Sequence, residues 1–111
     1  MIQITGMKIE ITRGDCEPFT ITLTGEDVPA DGEAVLFTVK KNANYDEPVI
    51  AKELTVDGGK VTVNIRNTDT WQLPFGDYEW DIRFPNLRGE GEPYTPMTPQ
   101  KFVIAKVIGN V

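Results

Sequence analysis

The chain predicts an all-β fold, an antiparallel β-sandwich, on three observations. Its dominant hydrophobic period is two, turn-forming residues recur between the periodic stretches, and no long segment repeats at 3.6 residues. Strict alternation buries one face of a strand and leaves the other wet, whereas a helix needs apolar residues three and four apart. Seven short strands separated by regular turns then suit two facing sheets.

Each element follows in order. In MKIEIT, Ile9 and Ile11 alternate with Lys8, Glu10 and Thr12. The triplet Arg13-Gly14-Asp15 is the turn into FTITLT, where Phe19, Ile21 and Leu23 alternate with threonines. After GEDVPADGE, the stretch AVLFTVKK sets Val35, Phe37 and Val39 on one face, with Leu36 on the other. NANYDEP leads to a weaker strand, Val49 to Leu54, which VDGGK joins as a tight hairpin to KVTVNIR. There Val61, Val63 and Ile65 face the core. NTDTWQL is the one helical hint, a single turn capped by Asn67, Thr68 or Asp69 and stopped by Pro74. GDYEWDIRF places Tyr78, Trp80, Ile82 and Phe84 on one face, and the last strand runs from Gln100 to Val107. Between these two, Pro85 to Gln100 carries four prolines and two glycines. Its prolines cannot donate to a ladder, so it belongs on an edge or clear of the sheet.

The 111 residues, 40% hydrophobic and 25% charged, make one globular domain spanning residues 1–111. A net charge of −6 disfavours nucleic acid, which is held by Lys and Arg on phosphates, and equally disfavours anionic membranes. No apolar run approaches the roughly 20 residues that span a bilayer. MIQITGMKIEI lacks the pattern of a signal peptide, which predicts a chain made and kept inside a cell until released. Cys16 is the single cysteine, so it forms no internal disulfide, and it reads as a small half-buried residue.

Catalytic chemistry has little to work with. Histidine and serine are both absent, which removes the usual base, the commonest metal ligand and the Ser-His-Asp triad. Asp77, Glu79 and Asp81 share a strand face and offer an acid–base pair or calcium ligands, against the plainer reading of a solvated face. Asp27, Asp31 and Glu33 lack the alternation of an EF-hand loop and read as a turn. These residues predict no enzyme, no cofactor and no metal. Among the aromatics, Trp71 is expected beneath the end of the sandwich, while Tyr45 and Tyr94 are expected to be exposed. Tyr45, Trp71, Phe75 and Tyr94 are the candidate partner or glycan contacts.

Within LPFGDYEW, a one-turn crossing, then Gly76, then Tyr78 at the start of a strand is similar to the tyrosine corner of immunoglobulin-like sandwiches. Trp80 stands where an antibody domain has a disulfide cysteine, and fills the space between the sheets instead. ITRGDCEPFTITLTG, AVLFTVKK, VDGGKVTVNIRNTDTWQLPFGDYEWDIRF and KFVIAKV, taken in this order, resemble the immunoglobulin-like domain at the N-terminus of phage baseplate upper proteins. The match runs from about Ile9 to Val107. Two departures stand out. The coiled-coil or receptor-binding part that follows in that family is not in this sequence, and RGEGEPYTPMTPQ is longer and richer in proline.

The resemblance implies a structural component of a phage or prophage tail or baseplate. It would be assembled in the bacterial cytoplasm and carried in the virion, by contact with other tail proteins and with copies of itself. It also implies that the Arg-Gly-Asp triplet is a structural corner, with Gly14 supplying backbone freedom and Asp15 bonding the following amides. An integrin ligand would need an extracellular animal setting. The competing reading is a glycan- or cell-surface-binding module, which requires the candidate rings to gather on one face.

Overall fold

The computed structural model describes residues 8–25, 28–42, 47–86 and 99–106, and the backbone of 2–5. Among these, the elements in order are β1 (Ile2–Thr5), β2 (Ile9–Thr12), β3 (Glu17–Gly25), β4 (Ala34–Lys40), β5 (Ile50–Thr55), β6 (Lys60–Ile65), α1 (Asn67–Thr70), β7 (Gly76–Arg83) and β8 (Gln100–Ala105). The fold is all-β in two sheets, one of order β1-β3-β6 and one of order β2-β8-β7-β4-β5.

Period-two alternation explains why these segments are strands. In β6, Val61, Val63 and Ile65 are buried while Lys60, Thr62 and Asn64 are exposed. In β4, Val35, Phe37 and Val39 are buried, and in β7 Tyr78, Trp80 and Ile82. The inward residues of both sheets form one apolar cluster, so the core lies between them. Val39 stands opposite Trp80 across β4 and β7. Phe37, one step along the same face, packs on Trp80 with ring centroids 5.7 Å apart and planes tilted by 33°.

The structure departs from expectation at four places, three in the strands and one in the helical turn. First, β1 adds an eighth strand, pairing Ile2–Thr5 antiparallel with β3 and matching Ile4 to Leu23. Second, β2 pairs parallel with β8, Ile9 opposite Phe102, whereas the other pairings are antiparallel. Parallel neighbours need a long connection, and the chain between these strands supplies it. Third, VDGGK is tight but is not a hairpin between sheet neighbours, because β5 and β6 belong to different sheets. Asp57 and Lys60 exchange both backbone hydrogen bonds, at 2.8 and 3.0 Å, and Gly58 and Gly59 take positive φ there. Fourth, α1 is capped differently. Arg66 occupies the cap position, and the Asp69 carboxylate accepts its N–H at 2.7 Å from inside the turn. The proline-rich stretch lies outside the described residues, except for Pro85, Asn86, Pro99 and Gln100.

Candidate functional site

Two connections meet at one end of the molecule. The first is the Arg13-Gly14-Asp15 turn between β2 and β3. Its Asp15 N–H donates to the Thr12 carbonyl at 3.0 Å, and its Arg13 N–H donates to Ala105 at 3.0 Å, extending the β2–β8 ladder. Gly14 has φ +89°, the left-handed conformation that glycine adopts without a steric penalty at the third position of such a turn. The second is the crossing from β6 to β7 through α1, Trp71 and Phe75. Its Thr70 is fully buried, and the hydroxyl accepts the Gly14 N–H at 2.9 Å.

Aromatic contacts complete the join. The Trp71 ring lies over Gly14, so a Cβ added there would meet it at 3.2 Å. The Arg13 guanidinium lies 4.1 Å from the centroid of the Phe75 ring, a cation–π contact. Yet Trp71 remains 65% exposed and Phe75 42% exposed. The expected burial of Trp71 beneath the end is therefore overturned. The ring lies against Gly14, and a residue without a side chain covers little of it.

The Tyr78 hydroxyl donates to the Pro74 carbonyl at 2.8 Å, which fixes the crossing to the start of β7. Burial pushes this phenol above its ordinary value of 10.0. Gly76, with φ +137°, opens β7, and Trp80 is buried in the core. Asp15 is exposed, and among the described residues its carboxylate does not hold the following amides. The turn is closed by backbone instead. Cys16 is exposed rather than half-buried, because it follows the turn before the strand's alternation begins. Tyr45 and Tyr94 lie outside the described residues.

Within the carboxylate row, Glu79 and Asp81 line one cleft of about 160 Å³ together with Lys40 and Arg83. Asp77 is exposed and lies 3.6 Å from Lys101, while Glu79 and Asp81 are half-buried on the outer face of β7. Burial lifts the Asp81 carboxyl above its ordinary value, and the charges of Arg83 and Lys40 offset part of that rise. No cluster of acids, cysteines or histidines that could hold a metal occurs among the described residues. Asp31, also weighed as a calcium ligand, accepts the Gly58 N–H at 2.9 Å and so braces the turn after β5.

The corner formed by Arg13, Gly14, Thr70, Trp71 and Phe75 is thus the chemically most distinctive surface. It combines an arginine and two exposed rings, residue types that dominate binding energy at protein interfaces. The acids Asp15 and Glu17 follow the turn, and Asp77 follows Phe75; all three are exposed. Sequence reasoning named Trp71 and Phe75 but missed Arg13 and Thr70, since no local pattern pairs residues so far apart in the chain. No protein-family model matches the chain, and no curated protein matches it.

Proposed function

We propose that the chain is an immunoglobulin-like β-sandwich that serves as a structural component of a phage or prophage tail or baseplate. It acts by protein–protein assembly, without catalysis or a cofactor, on other tail proteins and on copies of itself within the virion. The ordered motifs from Ile9 to Val107 support the family reading. The sandwich reading draws support from the two-sheet division, the Tyr78–Pro74 hydrogen bond and the buried Trp80.

The observation that carries the contact surface is the exposure of Trp71 and Phe75 where both rings meet the Arg13-Gly14 turn. Trp71 lies over Gly14 and Phe75 under the Arg13 guanidinium, so the turn sets both rings at one surface. Exposed acids border them, which favours a partner whose apolar contact is rimmed by Lys or Arg. The test is to look for the chain by mass spectrometry in gradient-purified particles after prophage induction. Its presence, with loss of a Trp71→Ala chain from the particles, is the expected result. Absence of the wild-type chain from purified particles overturns the reading.

The same two rings favour one competing reading, a glycan- or cell-surface-binding module, because they sit together at one corner. In that case the fluorescence of the exposed Trp71 changes on titration with purified cell-wall polysaccharide. Trp71→Ala abolishes the change, since the other tryptophan, Trp80, is buried.

A further inference from the structure

We propose that the free edge of β6 accepts an extended strand from another protein, one carrying an acidic residue at each end of its outward-facing row. This surface is separate from the aromatic corner and does not depend on the reading of the corner.

The hydrogen-bond phase of β6 fixes which groups are free. Paired residues in an antiparallel ladder alternate between those that exchange backbone hydrogen bonds and those that do not. Leu23 N–H donates to the Gly59 carbonyl at 2.9 Å, immediately before the pair Thr22–Lys60. Stepping by two, Ile21–Val61 and Phe19–Val63 are then the bonded pairs. Thr62 and Asn64 therefore turn their N–H and C=O groups away from β3. Among the described residues no strand lies on that side of β6. The flanking groups are already used. Lys60 exchanges both of its backbone bonds with Asp57, and the Arg66 N–H goes to Asp69. The segment from Thr62 to Asn64 is the open one.

The two edges on this side of the molecule differ. In β5, Lys52 stands opposite Phe37 on the inward face, and its ammonium is held by Asp69 at 2.8 Å. An inward charge on an edge strand deters a further strand from pairing there. The inward row of β6 is Val61, Val63 and Ile65, all uncharged, and Lys52 of β5 lines a groove beside Asn64 and Arg66 at one end only. Beside it runs a groove of about 600 Å³ lined by Glu53, Leu54, Thr55, Asp57 and Thr62.

Charge selects the occupant. On the outer face, Lys60 and Arg66 bracket Thr62 and Asn64, and all four are exposed. This is a local positive pair on a chain of net charge −6. A strand laid along β6 meets these cations with acids at its ends and uncharged residues between. Glu53 and Asp57 in the groove repel any acid that points inward, so the incoming inward row is small and uncharged. Backbone pairing supplies affinity and the end charges supply selectivity, the usual division in strand addition.

The test titrates two capped peptides, Glu-Ala-Thr-Val-Thr-Ala-Glu and Lys-Ala-Thr-Val-Thr-Ala-Lys, into the isotope-labelled full chain. Each reads the same in both directions, so strand orientation does not affect the result. The amides of Thr62 and Asn64 are expected to shift and to gain protection from hydrogen exchange. The acidic peptide is expected to bind about tenfold more tightly than the basic one. In the double variant Lys60→Glu/Arg66→Glu, whose two sites are exposed, the preference reverses. Equal affinity for the two peptides, or no response at Thr62 and Asn64, overturns the proposal. Shifts of these amides with protein concentration alone also overturn it, because the edge would then belong to a second copy.

Discussion

Lys52 Nζ lies 2.8 Å from Asp69 Oδ2, and this ion pair ties the outer strand of the five-stranded sheet to the helical turn that leaves the other sheet. Both side chains are only about one-fifth exposed, at 21% and 22%. The same carboxylate oxygen accepts the Arg66 N–H at 2.7 Å. Asp69 therefore does two things and Lys52 one. Asp69→Ala is expected to lose about 1–2 kcal/mol, the range of a lost cap plus a charged hydrogen bond. Lys52→Ala is expected to lose about 0.5–1 kcal/mol, because an ion pair near the surface is screened. Urea denaturation of the two single variants and the double variant measures both losses and the coupling. Additive losses would show that the pair does not act as a unit.

Trp80 is the largest of the fully buried side chains and packs against Phe37. Trp80→Ala removes that volume from between the sheets, where neither sheet can close the gap alone. The expected loss is about 3–5 kcal/mol. A loss below about 1 kcal/mol in chemical denaturation would place Trp80 outside the structural core.

These two residues mark how far the sequence was legible. The placement of Trp80 followed from period-two alternation, since one buried face fixes which residues point inward. The same rule located β2 through β8. It did not locate β1, because Ile2–Thr5 has only two alternations and a lone Gly6 is the one turn residue between it and the next strand. Nor did it show that β5 and β6 lie in different sheets. A tight glycine turn looks alike whether it joins neighbours in one sheet or steps between two. The exposure of Trp71 was illegible for another reason. A ring outside the alternating segments has its burial decided by what lies against it, here Gly14, nearly sixty residues earlier in the chain. Lys52 opposite Phe37 shows the same limit from the other side, since an inward charge on an edge strand breaks the alternation on which the rule depends.

Tyr78 joins burial to pH. Its hydroxyl donates to Pro74 at 2.8 Å, so Tyr78→Phe is expected to lose about 0.5–1.5 kcal/mol at neutral pH. Burial raises the folded-state pKa above 10.0, so in alkali the unfolded chain gives up this proton first. The contribution of Tyr78 is level below pH 10 and declines as the pH rises from there through the folded value. Stability measured from pH 8 upward should therefore fall less steeply in Tyr78→Phe than in the wild type. An identical alkaline slope would show that Tyr78 is not the group that titrates.

Gly14 meets two constraints at once, and one double variant separates them. Its φ of +89° strains any residue with a Cβ, and the Trp71 ring leaves that Cβ only 3.2 Å. Gly14→Ala is expected to lose about 2–3 kcal/mol, above the left-handed penalty of about 1–2 kcal/mol alone, because the ring must also move. Trp71 is largely exposed, so Trp71→Ala by itself should cost little, about 0.5 kcal/mol. In the Trp71→Ala background the steric part disappears and only the backbone part remains. The cost of Gly14→Ala there should fall to about 1–2 kcal/mol. Thermal or urea denaturation of the four proteins measures the difference. An unchanged cost would mean that the ring swings aside freely, and that Trp71 is not held on the turn in the way a preformed contact surface requires.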